Sequence, residues 1–332
     1  MEKYLVTGAD GFIGSHLVEK LVRSGKDVRA MVHYNSFGSN GWLDNIDKKI
    51  FDSIEIISGD IRDAELMKDI ASDCTNIIHL AAMMSIPYSY KAPRTFIETN
   101  VMGTLNILMA AKDLNIQKTI ITSTSEVYGS AKYVPMSEDH RLNAQSPYAA
   151  SKTAADQLSL SFYHSFSLPI TIIRPFNTYG PRQSTRAVIP TIITQIKESR
   201  NLIKLGSTHT TRDFSYVEDT VNGLILASKV GVAEGEILNL GNNFEISIGE
   251  TANLISDLMG FQTSINIEEL RKRPDESEVD RLWSDNSRSK MLLGWEPKYS
   301  GKGGFINGLK KTIEWFDDPL NLSFYRFGNY SI

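Results

Sequence analysis

Short apolar runs alternate with amphipathic stretches through the first half of the chain. Tyr4–Thr7, Val28–Val32, Ile54–Ser58, Ile77–Leu80, Thr119–Ser123 and Thr171–Arg174 have the length and apolar content of buried strands. Between them, Ser15–Ser24, Ala64–Ile70, Pro93–Leu114 and Pro147–Ser165 read as helices. Alternation of this kind predicts βαβ units and a parallel sheet, hence an α/β, doubly wound Rossmann body. From about Thr178 the regularity weakens, and Gly180-Pro181, Gly206, Gly241-Asn242-Asn243 and Gly301-Lys302-Gly303-Gly304 punctuate shorter elements. Glu236–Leu240 reads as a late strand returning to the sheet. The expected division is a Rossmann domain over 1–177 with a returning segment near 213–241. A smaller interleaved α/β domain is expected from 178–212 and 242–332. The aromatic-rich segment from Phe324 to Ile332 can pack on the body or on a partner.

Composition narrows the class. At 332 residues there is room for one large α/β domain and a smaller one, and 41% hydrophobic with 22% charged residues suits a globular protein. A formal charge of −4 argues against a general nucleic-acid binder. The single cysteine, Cys74, rules out an intramolecular disulfide framework and reads as a small buried side chain. Met1-Glu2-Lys3 leads straight into an apolar strand without a signal-peptide core, and no apolar run reaches the ~20 residues that span a bilayer. A cytoplasmic protein is expected. No cluster has metal-ligand spacing, so no metal is expected.

The first candidate chemistry is Val6-Thr7-Gly8-Ala9-Asp10-Gly11-Phe12-Ile13-Gly14, three glycines between a strand and a helix. Gly8 permits the tight turn, Gly11 lets a pyrophosphate approach the backbone, and Gly14 lets helix and strand pack closely. The helix N-terminus then offers amide donors to the phosphates. Gly59-Asp60-Ile61-Arg62 ends the third strand, where Asp60 can accept from an adenine amino group or cap the next helix. His79-Leu80-Ala81-Ala82 ends the fourth: its small residues let backbone lie against the cofactor, and His79 itself reads as structural. The cofactor set is therefore Gly8, Asp10, Gly11, Phe12, Ile13, Gly14, His33, Asp60, Ile61, Leu80, Ala81, Ala82 and Asn100, with Tyr148 and Lys152. The second strand ends Met31-Val32-His33-Tyr34-Asn35, with neither a carboxylate for a ribose 2′-hydroxyl nor an arginine for a 2′-phosphate. The residues therefore leave NAD and NADP both open.

The second is Tyr148-Ala149-Ala150-Ser151-Lys152, which puts a phenol and an amine four apart on one helix face. A phenol with a pKa of about 10 is a poor base at neutral pH. An ammonium ~5 Å away at an effective dielectric of ~20 favours the phenolate by roughly 3 kcal/mol. Lys152 is thus expected to lower the Tyr148 pKa, with an oxidised nicotinamide acting in the same direction. The preceding strand ends in Ser123-Thr124-Ser125-Glu126-Val127-Tyr128-Gly129.

TGADGFIG, HLAA, STSEVYG, YAASK and RPFNTYGPR occur here in the order and spacing of the extended short-chain dehydrogenase/reductase family, the NAD-dependent epimerases and dehydratases. The likeness runs on through Arg212-Asp213-Phe214, Arg273-Pro274 and Leu293-Gly294-Trp295. Thr124-Ser125-Glu126 resembles the hexose 4,6-dehydratases and the UDP-glucuronate decarboxylases, whereas simple 4-epimerases carry no acid there. The resemblance implies that Tyr148 deprotonates a C4 hydroxyl, Lys152 orients the ribose and tunes Tyr148, and Glu126 removes the C5 proton. Ser125 stands where dTDP-glucose dehydratases carry an aspartate, so the group that protonates the leaving C6 hydroxyl is Glu126 itself or a water held by Ser125. Over the whole chain the pattern is most similar to the NAD-dependent 4,6-dehydratases of bacterial legionaminic acid synthesis. That implies NAD, a UDP- or GDP-linked N-acetylglucosamine, and a 4-keto-6-deoxy product. A UDP-glucuronate decarboxylase, another nucleotide-sugar epimerase and a non-catalytic NAD(P)-binding regulator are the alternatives. Asn177, Arg212, Arg273 and Arg186 are candidates for the nucleotide diphosphate, and Ser85 and Thr124 for the hexose. The helices Pro93–Leu114 and Pro147–Ser165 resemble those that pair across a two-fold in this family, which implies a homodimer. Phe162, Tyr163 and Phe166 are candidate dimer contacts or plain core.

Overall fold

The computed structural model describes residues 2–325, so residues 326–332 of the expected aromatic segment lie outside the described residues. Among the described residues there are twelve strands. The first six are β1 (Lys3–Thr7), β2 (Asp27–His33), β3 (Glu55–Gly59), β4 (Asn76–His79), β5 (Lys118–Thr122) and β6 (Ile170–Pro175). The others are β7 (Asn177–Tyr179), β8 (Leu202–Leu205), β9 (Thr211–Tyr216), β10 (Ile237–Leu240), β11 (Glu245–Ser247) and β12 (Ser264–Ile267). Seven form one sheet in the order β10-β6-β5-β4-β1-β2-β3, every neighbour parallel. The chain is an α/β doubly wound fold, as the alternation predicts.

Both faces of this sheet are covered, which is why its strands read as near-continuous apolar runs. Alternate residues serve opposite faces. Tyr4 and Val6 of β1 join Leu17, Leu21 and Leu224 in one core, while Leu5 joins Ile77, Ile107, Leu108 and Phe162 in the other. The helix Phe12–Arg23 packs on Val217–Ala227 on the first face; Ala64–Ala71, Gly103–Asp113 and Pro147–Phe166 follow one another across the second. No helix among the described residues is long and apolar enough to cross a membrane.

Two details differ from the pattern-based expectation, and a third settles an open one. The helix expected over Pro93–Leu114 is broken into Pro93–Phe96, a π-helical stretch Ile97–Met102 and Gly103–Asp113. The wider turn carries Asn100 inward, and Gly103 leaves space that Ile61 fills: a Cβ there would lie 2.5 Å from the Ile61 Cδ1. The returning segment begins at Val217 rather than near 213, because β9 pairs with β7 and β11 in a separate three-stranded sheet. The tail's first two rings pack on the body, Phe324 and Tyr325 each 5.6 Å from Trp42.

A buried charge pair ties the sheet to its longest helix. Asp156, on Pro147–Phe166, accepts the Arg174 Nε–H of β6 at 3.0 Å, with Nη2 2.9 Å from the same oxygen, and neither side chain is more than 1% exposed. Arg174 also donates to the Tyr128 hydroxyl at 3.0 Å and lies 4.8 Å over its ring. Tyr128 in turn donates to Asn239 of β10 at 2.7 Å. Removing one partner leaves a buried uncompensated charge, which typically costs ~3–5 kcal/mol, whereas replacing both by apolar groups costs far less. Arg174→Met is therefore expected to lower unfolding free energy by about that amount in urea denaturation. Arg174→Met combined with Asp156→Leu is expected to recover much of it; a double variant no more stable than the single one would refute this account.

Candidate active site

The glycine turn is built for a close approach. Gly8 has φ of 69°, and a Cβ on it would sit 2.8 Å from the Ala81 nitrogen. A Cβ on Gly14 would sit 2.1 Å from the Gly8 carbonyl oxygen. Gly11 caps the helix Phe12–Arg23 without any side-chain bond, and no acid stands in the first turn. The helix N-terminus is thus left to bind an anion. Phe12 and Ile13 begin that helix and pack partly into the core. The Thr7 hydroxyl oxygen accepts the backbone N–H groups of Leu80 and Ala81, each at 3.2 Å, which draws the end of β4 against the turn, with Ala82 next in line. This cradle fits the pyrophosphate of a dinucleotide.

Other sequence-derived cofactor residues fall around it in different roles. His33 ends β2, and its backbone N–H donates to Asp10 at 3.3 Å. Ile61 is buried against Gly103. Asp60 does not cap the following helix: Asp63 does, accepting the Leu66 N–H at 3.0 Å. The Asp60 carboxylate instead takes the Arg62 Nε–H, at 3.0 Å to each oxygen, which holds its pKa below the usual range. Asn100 is 1% exposed and works as a fastener. Its amide donates to the Met83 carbonyl and the Ser151 hydroxyl, each at 2.9 Å, and its oxygen accepts the Met83 N–H at 2.7 Å. His79 is neutral, its pKa pushed by burial to about 3, and bridges the hydroxyls of Thr7 at 2.7 Å and Thr104 at 3.3 Å. Cys74 is a buried thiol raised by that burial to about 11. No three His, Cys, Asp or Glu side chains cluster as metal ligands among the described residues.

The helix Pro147–Phe166 starts with the Ser146 hydroxyl accepting the Ala149 N–H at 3.1 Å and with proline in its first turn, which fixes where Tyr148 and Lys152 stand. Opposite, Thr124 caps the short turn Ser125–Tyr128, accepting the Glu126 N–H at 3.3 Å. Ser125 and Glu126 are both buried. The expected effect of Lys152 on the phenol is not what the structure holds. Burial pushes the Tyr148 phenol up to about 12; the neighbouring Thr124 hydroxyl opposes this, while the charges of Glu126 and Asp156 add to it. The Lys152 Nζ donates to the Thr122 carbonyl at 2.6 Å, and burial lowers its own pKa to about 8 against the pull of Asp156. Desolvation outweighs the through-space attraction that the spacing alone suggests.

Beyond Glu126 lies a group of charges. The Arg273 Nη1 is 4.0 Å from the Glu126 carboxylate and 3.6 Å from Glu278, and Arg212 is 3.5 Å from Glu278. Burial lowers the pKa of Arg212. The buried Asn177 oxygen, at the start of β7, has no hydrogen-bond partner. Ser85 holds φ of 109°, a strained value for a residue with a side chain, at the head of Ile86–Lys91. Arg186 lies exposed before Val188–Ser199 and is not drawn into the charged group. Sequence reasoning missed Glu278, five residues past Arg273, and the Asp156–Arg174 pair. Asp156 continues the Tyr148–Lys152 face by one more turn, and an arginine inside the apolar run of β6 was its visible signal.

Known proteins fit this geometry. The family described as GDP-mannose 4,6 dehydratase matches residues 5–306. The UDP-glucuronate 4-epimerase of Thermodesulfobacterium geofontis is 32% identical over 330 residues, covering 97% of this chain and 98% of that protein. UDP-glucuronic acid decarboxylase 1 of Xenopus tropicalis is 33% identical over 328 residues, covering 96% of this chain and 73% of that one. A dTDP-glucose 4,6-dehydratase of Streptomyces venezuelae, solved with NAD bound, superposes with a TM-score of 0.85 at 28% identity over 97% of this chain and 98% of its own.

The burial of Lys152 has a measurable consequence. Its folded pKa, about 8, is below the ordinary 10.5, so between those values the unfolded chain holds more protons than the folded one. Stability therefore rises with pH across that window. Thermal denaturation of wild type and Lys152→Met from pH 7 to 10.5 is expected to show the variant lacking this gain, on the order of 3 kcal/mol at its fullest. Parallel pH profiles for the two proteins would contradict it.

Proposed function

This chain belongs to the GDP-mannose 4,6-dehydratase-like family of extended short-chain dehydrogenases/reductases, and we propose that it is an NAD-dependent nucleotide-sugar 4,6-dehydratase acting on a UDP- or GDP-linked N-acetylglucosamine. The observation that supports this reading is the buried Glu126 carboxylate, close enough to act on the Tyr148 phenol and 4.0 Å from Arg273. Oxidation at C4 makes the C5 proton acidic, and elimination of the C6 hydroxyl then needs a base at that side of the ring. NAD held by the Gly8–Gly14 turn and Lys152 would supply the hydride acceptor for C4 and the hydride donor for C6, with C5 then taking a proton from solvent. Tyr148, whose phenol is neutral on its own, would take the C4 hydroxyl proton once the positive charge of a bound nicotinamide favours its phenolate, with the Thr124 hydroxyl beside it as a hydrogen-bonding partner. Lys152 holds the ribose. Glu126 takes the C5 proton and can hand it to the departing C6 hydroxyl, since Ser125 offers no acid of its own. Arg212, Arg273 and Asn177 hold the diphosphate. The finer likeness of the sequence to the legionaminic acid enzymes supports the acetamido sugar.

Arg273 also favours a second reading. An arginine next to Glu126 is suited to a C6 carboxylate, as a UDP-glucuronate decarboxylase requires. The same helices support pairing of two copies, since Ile97, Met102, Met109 and Phe166 remain exposed along them.

Mass spectrometry of UDP- and GDP-N-acetylglucosamine incubated with the protein distinguishes these readings. Under the dehydratase reading one of them loses a single water, gains a ketone and takes solvent deuterium at C5. Glu126→Gln is expected to slow that loss by about 10²–10⁴-fold, and Tyr148→Phe to abolish it. If both sugars return unchanged and UDP-glucuronate loses carbon dioxide, the decarboxylase reading replaces it. A C4-epimerised sugar with no loss of water would make the chain an epimerase and leave Glu126 without the assigned role.

A further inference from the structure

Dinucleotide folds that use NAD commonly receive the adenosine ribose on an acid at the end of the second strand. Here β2 closes on His33, followed by Tyr34-Asn35, and no acid stands there. The structure brings a carboxylate to that place from another element. Asp10, between Gly8 and Gly11 in the glycine turn, reaches the end of β2, where its Oδ2 accepts the His33 backbone N–H at 3.3 Å.

Asp10 is held there from more than one side. The Trp42 N–H donates to its carbonyl at 3.0 Å. Gly41, with φ of 59°, passes so close that a Cβ on it would lie 2.5 Å from the Asp10 carbonyl oxygen and 2.9 Å from the Asp10 Cβ. Burial raises the Asp10 pKa, partly offset by the His33 N–H. His33 pairs with Gly59 at the end of β3, and just beyond that strand stands the local cation, Arg62. Its Nε–H is shared between both oxygens of Asp60, so its charge is already neutralised. A ribose placed across the ends of β2 and β3 would therefore meet a fixed anion and no uncommitted cation from Arg62.

We propose that Asp10 selects NAD over NADP: its carboxylate accepts the adenosine 2′-hydroxyl and repels a 2′-phosphate, replacing from the glycine turn the acid that β2 lacks. This assignment concerns only the cofactor, so it stands apart from whether the second step is dehydration, epimerisation or decarboxylation.

The test is equilibrium binding. Cofactor-stripped wild type, Asp10→Asn and Asp10→Ser are each titrated with NAD⁺ and with NADP⁺, following tryptophan fluorescence, for which Trp42 lies at the site. Wild type is expected to favour NAD⁺ by about a hundredfold or more, and both Asp10 variants to reduce that ratio at least about tenfold. A wild-type chain that binds the two dinucleotides equally overturns the assignment, and that measurement needs no variant to fold. Folded Asp10 variants with the wild-type ratio overturn it as well.

Discussion

Two charges taken wholly out of water, Asp156 and Arg174, set the frame on which the rest of the site depends. In a low-dielectric interior such a pair is strong only while every partner keeps its place. Arg174 meets the Asp156 carboxylate with one part of its guanidinium and the Tyr128 hydroxyl with another. The network continues through Asn239, whose N–H is accepted by the Glu138 carboxylate at 2.8 Å. Helix Pro147–Phe166, the turn after β5 and strands β6 and β10 are thereby bound to one another. Lys152 and Tyr148 stand one and two turns before Asp156 on the same helix face. The frame therefore positions the reactive end of the helix against Thr124 and Glu126.

That frame explains why electrostatics in the pocket follow burial more than spacing. Lys152 is buried and Tyr148 half-buried, and loss of water shifts both toward their neutral forms. Opposite them, Glu126, Arg273, Glu278 and Arg212 balance two carboxylates against two guanidinium groups. Their separations of 3.5 to 4.0 Å are longer than tight charge-assisted hydrogen bonds. Pairs this loose can be exchanged for the oxygens of a diphosphate without breaking a strong bond. In the proposed reading, an arginine drawn to phosphate would leave Glu126 freer to act as a base.

The parts of this arrangement that local sequence encodes were legible from it. Alternating runs specified the sheet, the glycine triplet its first turn, and Tyr148 with Lys152 a shared face. What escaped was long-range. Arg174 and Asp156 are 18 residues apart, and Tyr128 and Asn239 are 111 apart. No local period joins them. Glu278, just after the turn Asp275–Ser277, reaches Arg212 of β9 across 66 residues. Asp10 was assigned to the cofactor from its place in the glycine turn, but its reach to His33 depends on how β1 and β2 lie side by side. The π-helical stretch at Ile97–Met102 is likewise a tertiary matter, since only the packing of Ile61 against Gly103 and the anchoring of Asn100 show why the helix widens there.

The relatives' names span epimerisation, decarboxylation and dehydration. In the proposed chemistry these reactions share one opening, removal of a proton from the C4 hydroxyl and of hydride from C4. A frame that holds a phenol, an amine and a dinucleotide cradle serves that opening for all of them, so the fold alone leaves the outcome undecided. The outcome is decided at C5 and C6, by what stands across the ring from the phenol. A carboxylate there can remove the C5 proton; a guanidinium can hold a C6 carboxylate until it departs. This chain places Glu126 and Arg273 4.0 Å apart. Its chemistry then turns on which of the two meets the substrate's C5–C6 edge and which is drawn away to the diphosphate.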